Sequence, residues 1–130
     1  MSYFSLAFSA DDDGEIRLTA SFDTGQFKGQ CHYWCPPSEF ADLAAALGTY
    51  PMSSDAPIDE CWYGGCIRLR VEPIDAVGHL SVSVALEEFG SDWNKCRSRF
   101  QVSYGDVDRF REQLETVLAN GSGKAVLSSG

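Results

Sequence analysis

Basic residues are scarce in this sequence. The 130 residues include 10 Lys and Arg against 19 Asp and Glu, for a formal net charge of −9. Proteins that bind duplex DNA carry a basic surface that neutralises phosphates. The charge balance therefore disfavours duplex nucleic acid as a partner. It suits docking to a protein with a basic surface, and it equally fits a charge that serves only to keep the protein soluble.

Long apolar segments are also missing. No run approaches the roughly 20 apolar residues of a membrane-spanning helix. The first residues, Met1 to Phe4, lack the basic and apolar regions of a secretion signal. The sequence therefore predicts no membrane association and a cytoplasmic location.

Known catalytic signatures are absent as well. The sequence contains no G-x-S-x-G, no H-E-x-x-H, no phosphate-binding glycine loop and no dinucleotide-binding fingerprint. Its only histidines are His32 and His79, which leaves few candidates for a general base or a metal ligand. We predict that the protein is not an enzyme and has no cofactor, catalytic residue or metal site.

The five cysteines are Cys31, Cys35, Cys61, Cys66 and Cys96, an odd number in a chain without a secretion signal. This pattern favours free thiols. The spacings C-x3-C and C-x4-C differ from the usual C-x2-C of zinc knuckles. Residues four apart on one strand also lie about 13 Å from each other, too far to share a metal. We therefore expect buried thiols rather than a zinc site.

Apolar residues alternate with polar ones in six segments, which predicts half-buried strands. Helical spacing of apolar residues follows each group of three strands. The predicted fold class is α+β, an antiparallel sheet of about six strands with two helices on one face, in the order βββαβββα. The predicted strands cover residues 4–9, 16–22, 27–33, 67–72, 80–87 and 96–104, and the helices cover 36–47 and 106–118.

The two halves of this pattern are compatible with an internal duplication, because Ser38-Glu39-Phe40 and Asp108-Arg109-Phe110 occupy similar places. Asp106 is predicted to be the N-cap of the second helix. We expect a long loop over residues 49–62. The predicted organisation is a single domain over residues 1–119, followed by a flexible C-terminal tail over residues 120–130.

Most of the positive charge falls on the polar positions of the predicted strands. If the helices cover one face of the sheet, the open face becomes an arginine-rich surface with His32 and Trp34 nearby. Arginine and aromatic residues are enriched at protein interfaces. The alternative is that these arginines only solubilise the sheet and pair with Glu72 and Glu87. The six strand cations are Arg17, Lys28, Arg68, Arg70, Arg97 and Arg99. The predicted partner-binding residues are Arg68, Arg70, Arg97, Arg99, His32 and Trp34.

Three further aromatic residues, Trp62, Tyr63 and Trp93, lie beside acidic residues in predicted loops. They form either a second contact site for a partner or a group that folds back onto the core. We expect the second arrangement.

The order of elements resembles that of small bacterial immunity proteins of the WapI type. The resemblance spans residues 14–119. It rests on the helix Phe40-Ala41-Asp42-Leu43-x-x-x-Leu47 and the helix Phe110-Arg111-x-Gln113-Leu114-x-x-x-Leu118. It implies a protein that neutralises a contact-dependent toxin, and no functional residue of that group has a match here.

Two functions follow from these observations. The first is a non-enzymatic protein-binding domain, such as an immunity protein, whose acidic loops steer it to a basic partner. The second is a domain that binds a small ligand or anion, or an enzyme accessory subunit, through the arginine-rich face. A homodimer formed through the open face is a third alternative.

Overall fold

The computed structural model describes residues 2–48, 56–90 and 92–129. Within these ranges the chain forms eight antiparallel strands, a short 3-10 turn and two α-helices, which confirms the α+β class. The strands are β1 (Tyr3–Ala10), β2 (Ile16–Asp23), β3 (Lys28–Trp34), β4 (Ala56–Trp62), β5 (Gly65–Pro73), β6 (His79–Glu88), β7 (Asn94–Ser103) and β8 (Gly123–Ser128). The 3-10 turn Pro37–Phe40 leads into α1 (Ala41–Leu47), and α2 is Tyr104–Asn120.

The strands form two sheets, so the prediction of a single sheet of about six strands is wrong. In the described part of the chain, the first sheet has the order β3-β2-β1-β8 and the second has the order β4-β5-β6-β7. The order βββαβββα also fails, because β4 precedes β5 and β8 follows α2. The two halves do share one plan, because β1-β2-β3-α1-β4 and β5-β6-β7-α2-β8 are each βββαβ and the two sheet orders correspond, so the fold is compatible with an internal duplication. The helices contact both sheets. Helix α2 contacts β8 of the first sheet and β7 of the second, and α1 contacts α2 and β4 of the second sheet.

Strand β4 lies within the segment that the sequence predicts to be a loop, of which residues 49–55 fall outside the described residues. Among the described strands it pairs with β5 alone and so lies at the edge of its sheet. Ile58 is buried, whereas Asp59 and Glu60 are exposed. An edge strand with one clearly buried side chain shows little period-two alternation, which explains why the pattern did not reveal it.

The C-terminal segment is a second correction. Residues 123–128, predicted to belong to a flexible tail, form β8 and pair with β1, with Leu127 opposite Phe4. Ala125 and Leu127 are fully buried. The left-handed backbone of Gly121 ends α2 and turns the chain into this strand. The small residues around β8 resemble a mobile tail in composition, and pairing with β1 together with packing against α2 orders them.

Helix α2 begins differently from the prediction, which made Asp106 the N-cap. The N-cap is Ser103, whose hydroxyl accepts a hydrogen bond from the Asp106 amide at 3.2 Å. The Asp106 carboxylate accepts one from the Ser103 amide at 2.9 Å. The two residues form a capping box, in which each side chain satisfies an amide at the helix start.

The inner faces of both sheets and the apolar sides of both helices form one hydrophobic core. Tyr33 of β3 joins the two sheets inside it. Its side chain is fully buried, and its hydroxyl donates a hydrogen bond to the Cys66 carbonyl at 2.9 Å, with the Glu87 carbonyl at 3.4 Å. At the end of β3, the Trp34 amide donates to the Tyr63 carbonyl at 3.0 Å. These bonds attach the edge of the first sheet to the hairpin between β4 and β5.

None of the helices in the described ranges has the length and apolar character that crossing a bilayer requires.

Candidate functional site: a cationic groove on the second sheet

The register of β5, β6 and β7 places cationic side chains on both sides of a strand with small residues. Arg68 and Arg97 lie on either side of Ala85, and Arg70 and Arg99 lie on either side of Ser83. Because neighbouring strands are about 4.8 Å apart, the backbones of β5 and β7 are separated by about 10 Å.

The long side chains on β5 and β7 rise above the small side chains of β6 and leave a groove of about 480 Å³. We call it the arginine groove. Its walls are Arg68 and Arg70 on β5 and Lys95, Arg97 and Arg99 on β7, and its floor includes Ser83 and Ala85. Alternation along the strands directs these side chains away from the core, because their neighbours Ile67, Leu69 and Phe100 point inward.

The two walls differ in how far their charge is already neutralised. On β5, Arg68 Nε lies 3.3 Å from Asp59 Oδ2, and Arg70 also has an interaction partner within the protein. On β7, Arg99 Nε donates to the Ser81 hydroxyl at 2.8 Å. Lys95 and Arg97 form no ion pair or hydrogen bond through their side chains within the described ranges. Within the described residues the three β7 cations therefore form no ion pair, although Glu87 of β6 lies directly opposite Lys95.

Acidic residues lie at both ends of the groove. Glu87 lies between Cys66 and Lys95 in the register, and its carboxylate accepts a hydrogen bond from Trp93 Nε1 at 2.6 Å. At the other end, Glu72 lies on β5 two residues beyond Arg70. The three β7 cations span about 14 Å, the length of four residues on a strand, and the row of Lys95 at one end also contains Glu87.

The structure brings together only four of the six residues predicted to bind a partner. Arg68, Arg70, Arg97 and Arg99 share the arginine groove. His32 and Trp34 lie on β3 in the first sheet, as do the strand cations Arg17 and Lys28 on β2 and β3. A single arginine-rich face over six strands does not form, because the strands divide between two sheets.

His32 and Trp34 have local partners on the first sheet. His32 Nδ1 lies 3.0 Å from the Thr19 hydroxyl, and burial followed by the charge of Arg17 lowers the pKa of His32. Trp34 is partly exposed and lies against Tyr63 in a cleft beside Ile16. Neither residue contributes to the arginine groove.

Sequence reasoning missed Lys95 and the residues of the floor. The predicted strand begins at Cys96 and so leaves Lys95 out, whereas β7 begins at Asn94. Its alternation with Arg97 and Arg99 is the signal that would have placed it on the same face. The importance of Ser83 and Ala85 depends on the register and has no signal in the sequence.

The three loop aromatics fold back only in part. The Trp62 ring packs against the rings of Tyr33 and Phe40, with centroids 6.0 and 5.7 Å away. Tyr63 and Trp93 remain 80% and 73% exposed. The expectation that these residues cover the core is therefore correct for Trp62 alone.

The cysteines also differ from the prediction. Cys61 and Cys66 face each other across β4 and β5 and form a disulfide, so the expectation of free thiols is wrong for this pair. The physical reason is the hairpin, which places the two residues directly opposite each other and which the sequence pattern did not reveal. Cys31, Cys35 and Cys96 are free. Burial raises the pKa of all three thiols, that of Cys35 to about 12, so they are poor nucleophiles at neutral pH.

Disulfides are more typical of oxidising compartments than of the cytoplasm, so the Cys61–Cys66 bond lends no support to the cytoplasmic location, which stays a prediction. In the ranges that the structure describes, no three His, Cys, Asp or Glu side chains come together as a metal site would require.

Comparison with known proteins returned no matching family model, no matching curated protein and no matching solved structure. The resemblance to WapI-type immunity proteins therefore stays a prediction.

Proposed function

We propose that this protein is a non-enzymatic protein-binding domain whose arginine groove receives an acidic segment of a partner protein. The observation that carries the proposal is the pair of cationic walls, about 10 Å apart, above a floor of small side chains. A carboxylate entering the groove meets Lys95 and Arg97, which form no ion pair with any of the described residues. Charge-assisted hydrogen bonds of this kind are among the stronger polar contacts.

The chemistry of the lining favours binding over catalysis. Arginine stays protonated at any physiological pH and presents a rigid fork of donors that matches a carboxylate. The floor contributes a hydroxyl and a methyl group from Ser83 and Ala85. These groups supply charge and hydrogen bonds rather than a proton acceptor.

The charge of the groove refines the choice of partner. The net charge of −9 favours a partner with a basic surface, whereas the groove favours an acidic segment. A partner that combines the two meets both conditions, because the acidic residues at the ends of the groove oppose an acidic chain beyond it. An immunity protein that covers part of a toxin is one form of this proposal.

A symmetric homodimer through this face is disfavoured. In an interface with twofold symmetry the same patch meets itself, so two cationic grooves would face each other. Like charges in such an interface oppose association.

The test compares three proteins as baits in affinity capture from the source cells. These are the wild type, the groove variant Lys95→Ser/Arg97→Ser, and the control variant Arg17→Ser/Lys28→Ser. Each variant loses one arginine and one lysine from outward positions of strands, so the net charge is the same. We expect one stoichiometric partner with the wild type and the control, and its loss with the groove variant. A partner that the groove variant retains would place the binding site elsewhere and overturn the proposal.

The second candidate function is binding of a small anion, which is favoured by the size of the groove. Its volume of about 480 Å³ is in the range of small-molecule pockets. A ligand that binds the native state raises the melting temperature. A marked rise with inorganic pyrophosphate in physiological salt, absent from the groove variant, would favour this function over protein binding.

A further inference from the structure

The arginine groove has the dimensions of an extended chain rather than of a helix. A helix with its side chains is about 10–12 Å across, and the walls rise from backbones only about 10 Å apart. An extended chain occupies about 4.8 Å, the spacing of strands in a sheet. An extended segment can therefore lie along β6 between the walls, and a helix cannot.

The charge spacing on β7 matches the side-chain repeat of such a segment. Lys95, Arg97 and Arg99 occupy every second position and point to the same face. Their repeat is about 6.8 Å, which is also the distance between alternate side chains of an extended polypeptide. Three carboxylates at alternate positions can therefore meet three cations in register.

The unequal walls decide what the remaining side chains of the segment should be. Alternate residues of an extended chain point to opposite sides, so one set faces β7 and the other faces β5. On β5, Arg68 is paired with Asp59, and Arg70 has a partner in the protein. Acidic residues are therefore favoured toward β7, while neutral residues are favoured toward β5. Glu87 and Glu72 at the two ends disfavour further carboxylates.

We propose that the ligand of the arginine groove is an extended acidic segment with about three carboxylates at alternate positions, which lies along β6 with its carboxylates toward β7. This inference rests on the proposed function and specifies its ligand. The Ser83 hydroxyl, which has no hydrogen-bond partner within the described residues, faces the groove and is free to bind the main chain of the segment.

Single-stranded nucleic acid is the main rival, since its phosphates also repeat along an extended backbone. Proteins that bind it without sequence preference stack its bases on aromatic side chains. Among the described residues, those that line the groove include no aromatic side chain. The net charge of −9 further opposes a polyanion longer than the span of the three β7 cations.

The experiment measures fluorescence anisotropy of labelled peptides with the full chain. One peptide carries three glutamates at alternate positions separated by serines, and a second has the same composition with the glutamates in a row. In a row, only two of the three glutamates can face β7. We expect the alternating peptide to bind roughly fivefold more tightly, the effect of one partly screened ion pair. Binding should weaken in Lys95→Ser/Arg97→Ser and persist in Arg17→Ser/Lys28→Ser.

The inference is overturned if the row peptide binds as well as the alternating one, if the alternating peptide does not bind at millimolar concentration, or if labelled oligothymidylate binds more tightly than either. Its failure is distinguishable from failure of the proposed function. A protein partner captured by the wild type and lost with the groove variant would support the function even if neither peptide binds.

Discussion

The hydroxyl of Tyr33 provides a sharp test of how the two sheets are held together. We predict that Tyr33→Phe destabilises the protein by about 2 kcal/mol, because a buried acceptor that loses its donor costs about 1–3 kcal/mol. In the structure the Tyr33 side chain is fully buried, and its hydroxyl donates to the Cys66 carbonyl at 2.9 Å. The Glu87 carbonyl is 3.4 Å away. Phenylalanine keeps the ring and removes only this link.

The protonation state of the Tyr33 hydroxyl is constant near neutral pH, so it does not complicate the measurement. Burial, more than any other influence, raises the pKa of Tyr33, so the phenol stays protonated and donates throughout the neutral range. The assay is urea denaturation at neutral pH followed by tryptophan fluorescence. The Trp62 ring lies 6.0 Å from the Tyr33 ring and reports on this part of the core.

Tyr63→Phe is the matched control, because it removes the same hydroxyl from a side chain that is 80% exposed. Exposed substitutions usually change the unfolding free energy by less than about 0.5 kcal/mol. If Tyr33→Phe behaves like Tyr63→Phe, with an unchanged slope against urea, the bond between the sheets contributes nothing measurable and the reasoning fails.

Three further predictions concern cysteines and a close contact. Replacing Cys61 and Cys66 by serine should cost about 2 kcal/mol of unfolding free energy, from the loop entropy of a short disulfide ring. The wild type in reductant should match this variant, and equal stability of all samples would contradict the effect. In Gly29→Ala the new Cβ would lie 2.5 Å from Cys96 Sγ, so denaturation should show a loss of about 1–3 kcal/mol. Adding Cys96→Ala should recover part of that loss, and no recovery would locate the strain elsewhere. Because burial raises the pKa of Cys35 to about 12, the unfolded chain loses the thiol proton first as pH rises. Unfolding free energy should therefore fall above about pH 9, by at most about 1.4 kcal/mol per pH unit for this thiol. Cys35→Ala should flatten the decline, and an unchanged decline would refute the assignment.

The resemblance to immunity proteins and the proposed groove depend on different observations. The resemblance rests on element order, and that order changes once β4 and β8 are included. The groove rests on three adjacent strands, β5, β6 and β7. A result against an immunity function would therefore leave the groove and its proposed acidic ligand in place.

Local periodicity determined much of the secondary structure. Alternation identified β1, β2, β3, β5, β6 and β7, and helical spacing identified α1 and α2. This succeeded because each of these elements buries one face, which imposes a period of two or 3.6 on the apolar residues. Edge strand β4 and the small-residue strand β8 show weak alternation, and both were missed for that reason.

Only the tertiary structure decided how the strands are shared between two sheets, and with that the candidate site. The sequence placed Arg68, Arg70, Arg97 and Arg99 on outward positions of their strands, because outward positions follow from alternation. It could not show that β6 separates them, that Ser83 and Ala85 form a floor, or that His32 and Trp34 lie on the other sheet. Strand pairing joins residues that are distant in the chain and depends on the energy of the whole core, so local periodicity does not encode it.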